Sequence, residues 1–358
     1  MYFSSQVYIA EISTAKFRGV FGTFTPIGIS AGILVNYSIG SIPGFPYFYT
    51  SLVAAGIITV FEVMMVWLEE TPRWLVLKNH HQEAYHALTW LRGPSVNIED
   101  EIRSIESSDG SSIWTAWKEF AKRSVAVPVT IVIVVMFFQQ IGGLNAITSY
   151  AASLFQEAGV ANPEVTAAYA IGGAGLLSTL TFILVIDLVG RKILLIISGI
   201  GMTLSTALLG VHFYITRPSL CASGNNSSLI DLAEILQDST TDAPCNTQYG
   251  PLAVVSIVIF VLSLAAGFGP VPWILMSEIT PLQVRGLASG IAILVNWATA
   301  AIVVGFYLEY ADVVRVWFAW WSFAVLNAAG VLFVIVFVKE TKGKTLEDIE
   351  KYYREHRF

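Results

Sequence analysis

Two carboxamides, Gln139 and Gln140, stand side by side within an apolar, uncharged run from Ser124 to Tyr150, followed by Gly142-Gly143 and a third amide, Asn145. An ordinary membrane-spanning helix has no use for this combination. Unpaired amides in hydrocarbon cost free energy, and adjacent glycines weaken a helix. Amides present both donors and acceptors, so the stretch suits a polar, uncharged guest. The same groups could also serve only to bond neighbouring helices, as Gln and Asn in membranes often do.

A second interruption lies at Gly267-Phe268-Gly269-Pro270-Val271-Pro272-Trp273, inside another apolar run. Paired Gly/Pro breaks at corresponding positions of a helical repeat point to a midplane substrate site, because unwound backbone is tolerated where it lines a cavity. Trp273 offers a flat apolar face that would stack on the C–H face of a polyhydroxylated molecule; alone, it would read as an interface anchor. The spans from Val125 onward hold no ionisable group except His212, near a helix end, which favours a neutral substrate over an ion or amino acid. Glu62, in an earlier span, is close enough to the cytoplasmic end to snorkel or to bond another helix.

These residues must be positioned by membrane helices. With 55% hydrophobic and 13% charged residues, the 358-residue chain is too apolar for a soluble globular protein. Apolar runs of spanning length occur at Gly19–Gly40, Tyr47–Leu68, Val125–Ile147, Val165–Ile186, Ile193–Ile215, Pro251–Met276, Leu287–Tyr307 and Val316–Val338. The expectation is an all-α, multi-pass membrane protein. With both termini of this chain cytoplasmic, every Lys and Arg except Arg217 and Arg315 lies on the inner face, in accord with the positive-inside rule. Nothing in the charge pattern suggests nucleic acid binding, and no cofactor or metal site is expected. His80, His81 and His86 read as solvated side chains, since no Cys accompanies them. Cys221 and Cys245 share the polar loop between Arg217 and Gly250 with overlapping glycosylation sequons at Asn225 and Asn226. The loop falls on the outer, oxidising face, where a disulfide and glycosylation are expected; free thiols and unused sequons are the alternative.

Charges cluster at the cytoplasmic helix ends and recur. Glu11-Ile12-Ser13 followed by Arg18-Gly19 is echoed by Glu278-Ile279-Thr280 followed by Arg285-Gly286, and Glu70-Thr71 by Glu340-Thr341 at nearly the same spacing. This is an internal duplication. Glu11, Arg18, Glu70, Arg73, Asp187, Arg191, Glu278, Arg285 and Glu340 form a candidate gate, made in one arrangement of the halves and broken in another. Exposed ion pairs stabilise by only about 0–1 kcal/mol each, so stability alone does not account for them. The second copy is preceded by four spans and the first by none, which predicts four further spans before Met1 in a longer protein. The expected organisation is two spans of a first bundle at residues 1–77, an amphipathic cytoplasmic linker at 78–123 with helices around Gln82–Arg92 and Asn97–Ser107, a complete six-helix bundle at 124–338 and a cytoplasmic tail at 339–358.

The stretches YIAEISTAKFRG, EETPRWL, QQIGGLN, DLVGRK, GFGPVPW, SEITPLQVRG, Asn296-Trp297 and KETKGKTLEDIE cover the chain from end to end. Together they resemble the sugar porters of the major facilitator superfamily. The long sequon-bearing loop, and Ala265 where glucose-selective members carry Glu, look most like the subgroup of intracellular glucose transporters and insect trehalose transporters. The resemblance implies eight of twelve transmembrane helices, family helices 5–12, and no enzymatic activity. It implies transport of a hexose such as glucose, or a disaccharide such as trehalose, in the plasma membrane or an endomembrane. It assigns sugar contact to Gln139, Gln140, Asn145, Trp273 and Asn296, and an inner gate to Glu11, Arg18, Arg73, Arg191, Glu278 and Arg285. The chain departs from the family at Pro26 and Gly175, where amide side chains are usual, and at Ser149-Tyr150, where a tyrosine pair is. Proton coupling cannot be read from this chain, because the resemblance places the coupling carboxylate on one of the first four family helices, which the chain lacks. A non-transporting membrane sugar sensor or regulatory fragment that lacks the first four family helices is the alternative reading.

Overall fold

The computed structural model describes residues 18–42, 46–93, 122–216, 249–280 and 284–342, with short pieces at 8–9, 12, 98–99, 102–103, 118–120 and 352. All regular structure among these residues is helical. The order is α1 (Arg18–Gly40), α2 (Tyr47–Met65), α3 (Pro72–Leu77), α4 (His81–Arg92), α5 (Arg123–Ile141), α6 (Leu144–Glu157) and α7 (Pro163–Ala167). A π-helical segment (Ala168–Gly173) follows, then α8 (Ala174–Val189), α9 (Arg191–Ile215), α10 (Gly250–Ala266), α11 (Val271–Ile279), α12 (Arg285–Val314) and α13 (Val316–Phe337). Seven segments among the described residues are long and apolar enough to cross a membrane; α1, whose shorter apolar stretch is Pro26–Gly40, is the eighth expected span. Helices rich in Val and Ile, such as α5, would be poor formers in water, but hydrocarbon leaves the backbone no other partner than itself.

Both expected breaks are present. α5 stops at Gly142, and Gly143 adopts φ 94°, a left-handed conformation that a side chain would resist. The chain then resumes as α6, which runs on to Glu157, ten residues past the expected end of that span. α10 stops at Gly267 and restarts as α11 after Pro270. The π-helical turn within the fourth apolar run had no sequence signal.

Helices α5–α13 hold the main core. α9 lies along α10 and α13, α5 packs on α12, and Phe155, Met202, Ile257, Phe260, Leu275 and Trp320 are fully buried among them. His212 is also fully buried, with its ring edge-on to Phe213. α1 attaches to these helices through the π segment and α8. Leu34 lies against Gly172, the Ser30 and Thr179 hydroxyls are 2.9 Å apart, and the Tyr37 hydroxyl donates to the Thr148 carbonyl of α6. α2 leans on α1, and no residue from Phe48 to Met65, Glu62 included, is buried.

In the linker, α4 begins one residue before the expected Gln82–Arg92 helix. The second expected helix, over 97–107, lies largely outside the described residues. α4 buries Ala84 and Ala87 against Leu75 and Val76 of α3. Pro72 opens α3, and the Thr71 hydroxyl accepts from the Trp74 N–H at 3.2 Å, an N-cap.

Candidate functional site

Each helix break exposes backbone groups that hydrocarbon cannot satisfy, and the structure satisfies them from other helices. The Gly142 carbonyl accepts from Asn327 Nδ2 of α13 at 3.0 Å. The Phe268 N–H donates to Ser198 Oγ of α9 at 2.9 Å. The Phe268 and Gly269 carbonyls both accept from Gln139 Nε2, each at 2.7 Å. An amide at the end of one broken helix therefore stabilises the break in the other.

The other amides join this one in a chain. Asn296 of α12 is fully buried; its Nδ2 donates to Gln139 Oε1 at 2.8 Å and to the Met136 carbonyl at 3.1 Å. Asn296 Oδ1 accepts from Gln140 Nε2 at 2.9 Å, and Gln140 Oε1 accepts from Asn145 Nδ2. An amide offers two donor protons and one acceptor oxygen. Gln139 and Asn296 have both protons and the oxygen engaged within the protein. Gln140 keeps one N–H, while Asn145, at the head of α6 and only half-buried, keeps one N–H and its oxygen. Trp273 stands in the first turn of α11, half-buried against the core. Of the five residues expected at the sugar, Gln139, Gln140, Asn145 and Asn296 thus form one hydrogen-bonded unit, and its uncommitted groups lie at the Gln140–Asn145 end. α6 is held beside it by Tyr150, whose hydroxyl donates to the Val304 carbonyl at 2.9 Å and whose ring stacks on Tyr307 at 5.4 Å.

At the helix ends expected to face the cytoplasm, Arg191 bonds Glu278 through Nε at 3.2 Å and Nη2 at 3.1 Å. The other Glu278 oxygen accepts from the Thr341 hydroxyl at 2.6 Å. Glu340 binds backbone, its carboxylate accepting from the N–H groups of Arg191, Lys192, Thr341 and Lys342 at 2.9–3.1 Å. It caps α9 from 148 or more residues away, where the first-turn N–H groups and the helix dipole both favour an anion. Arg285 Nη2 donates to the Thr280 carbonyl at 3.2 Å, and Glu70 is exposed beyond α2. Glu11, Cys221, Cys245, Asn225 and Asn226 lie outside the described residues, as do the side chains of Arg18, Arg73 and Asp187.

Replacing Glu340 by glutamine leaves one acceptor oxygen where two served four N–H groups and brings an NH₂ toward them. The expected loss is about 1–2 kcal/mol of stability, the scale of an N-cap with a favourable dipole. Thermal unfolding in detergent would show it, and an unchanged midpoint would refute the capping role.

Sequence reasoning missed Asn327, Ser198 and Tyr37. The first had a signal: Asn327 is the only amide in an otherwise apolar span. The other two are residue types common in membrane helices and carried none.

A family model described as "Sugar (and other) transporter" matches residues 1–353. The facilitated trehalose transporter Tret1 of Bombyx mori is 36% identical over 347 residues, covering 96% of this chain and 64% of that protein. The "Solute carrier family 2, facilitated glucose transporter member 8" of Bos taurus is 34% identical over 349 residues, covering 97% of this chain and 70% of that protein. The chain spans still less, 38%, of the Tret1 of Drosophila willistoni. Among solved structures, the proton:xylose symporter XylE bound to 6-bromo-6-deoxy-D-glucose superposes with a TM-score of 0.70 at 26% identity, covering 97% of this chain and 70% of that one.

Proposed function

Because the chain belongs to the sugar transporter family, whose members similar to it are transporters and not enzymes, we propose that it carries a neutral sugar across a bilayer by alternating access. The substrate is a hexose such as glucose or a disaccharide such as trehalose. The observation that carries this reading is the amide chain that ties the two helix breaks together and leaves its unengaged donors and acceptor at Gln140 and Asn145. In this reading Gln140 and Asn145 hold the sugar hydroxyls, Trp273 faces a C–H surface, and Gln139 and Asn296 keep the site in shape.

The same reading divides the chain at residues 77, 123 and 338 into the first-bundle spans, the linker, the six-helix bundle and the tail, with both termini cytoplasmic. The Arg191–Glu278–Thr341 junction and its Glu340 cap act as the inner-gate side of the second bundle. Rocking of the bundles about the α1 contact would open the site to one face at a time.

The test is saturable, stereoselective uptake of radiolabelled D-glucose or trehalose into proteoliposomes holding the full chain. Binding of sugar without flux would overturn the transport reading. For the site, Gln140→Ala and Asn145→Ala are each expected to weaken sugar binding about tenfold, the loss of one hydrogen bond at roughly 1–1.5 kcal/mol, with membrane insertion intact. Unchanged affinity in both would sink the assignment.

A further inference from the structure

A cleft of about 120 Å³ opens beside the amide chain, between α1, α6, α8 and α10. Its position ties it to the proposed site: Leu144 and Thr148, which line it, flank Asn145 on the same half-helix. Its chemistry is different. Ile33, Ile147, Ile171, Phe260, Val261 and Leu264 supply most of the wall, and Gly175 and Ala265 supply the space. The two hydroxyls on the wall have their protons engaged. Thr148 donates to the Leu144 carbonyl at 3.0 Å. Thr179 donates to the Gly175 carbonyl at 2.8 Å, which leaves Ser30 to donate to Thr179.

A second pyranose placed here would bury several hydroxyls against hydrocarbon, with only two hydroxyl oxygens, Ser30 and Thr148, on the wall to accept from them, and burying an unpaired hydroxyl is costly. A hydrocarbon group meets no such cost. The volume is near that of a cavity of about 150 Å³ that takes up benzene.

We propose that this cleft is an apolar annex of the sugar site that receives the aglycone of an alkyl or aryl glycoside, while the sugar ring stays on Gln140 and Asn145. The inference rests on the sugar-binding reading above. It makes glycosides with a small apolar aglycone the preferred ligand class, and it requires the second ring of any disaccharide to lie elsewhere.

The experiment is calorimetric binding to the full chain in lipid nanodiscs, comparing D-glucose with the methyl and phenyl glucosides in both anomers. The better phenyl glucoside is expected to bind at least tenfold more tightly than the matching methyl glucoside and to compete with D-glucose. Ile33→Phe, which fills the cleft from α1, is expected to abolish that gain while methyl glucoside affinity stays within twofold. Gly175→Val fills it from α8 and is also expected to remove the gain; the Cβ it adds meets only Val261, at 3.5 Å. Equal affinities of phenyl and methyl glucosides, or a gain retained in both filled variants, would overturn the annex while leaving glucose binding in place. Phenyl glucoside binding that does not compete with D-glucose would mark an acyl-chain site instead, and also overturns it. Failure of all the sugars to bind the wild-type chain would sink the sugar reading itself.

Discussion

Replacing Asn296 by leucine is expected to destabilise the protein by about 3 kcal/mol. The substitution keeps the branched shape of the side chain but removes three hydrogen bonds: it leaves Gln139 Oε1 and one Gln140 Nε2 proton unpaired and takes a second donor from the Met136 carbonyl, which keeps its bond within α5. Single hydrogen bonds between membrane helices contribute about 0.6 kcal/mol on average and up to roughly 1.7, because the unfolded chain in the bilayer finds other partners. Here the three bonds meet on one fully buried side chain within a packed core, so roughly 1 kcal/mol each is the appropriate scale. Unfolding in mixed detergent micelles would measure the loss, and a value below about 0.5 kcal/mol would show that the amide chain is not a structural unit. A cycle with Gln139→Ala adds a sharper criterion. If the two residues act through one network, the double variant loses much less than the sum of the singles.

Gly172→Leu is expected to pry α1 off the π segment and α8. A Cβ at Gly172 would stand 2.6 Å from Leu34 Cα and 3.0 Å from Leu34 Cβ. The first of these is backbone, which has no rotamer to escape into, so the helices themselves must separate. Overpacking of this kind typically costs about 1–3 kcal/mol. The expected additional loss is the pair of contacts that depend on the same approach, Ser30 with Thr179 and Tyr37 with the Thr148 carbonyl. Short-span cross-linking of Ser30→Cys to Thr179→Cys reads the separation directly, and its yield should fall steeply in Gly172→Leu. The adjacent Gly173 is the control, because nothing lies within 4 Å of a Cβ built there. Gly173→Leu should cross-link like the parent. Equal yields in both variants would show that the Leu34 contact does not hold α1 in place.

The sequence determined the spans, both helix breaks and the crowding of charge at one set of helix ends, because each of these follows from local chemistry. A run of apolar residues must be helical in hydrocarbon, adjacent glycines and prolines must interrupt it, and cations must stay on one face. It also singled out Gln139, Gln140 and Asn145, which stand out against an apolar background. What it left open was what those amides touch. Whether they bond neighbouring helices or a guest was undecided, and the tertiary structure divides them: Gln139 and Asn296 are engaged by the protein, whereas Gln140 and Asn145 keep groups to offer. The partners that make this division are 129 to 160 residues away, as Gln139 is from Phe268 and Asn296 from Met136. Only helix packing decided these pairings, as it decided that Glu340 caps α9 and that Asn327 caps the Gly142 break. Period and spacing report the faces of a single helix, while a hydrogen bond between helices depends on which faces meet and at what depth.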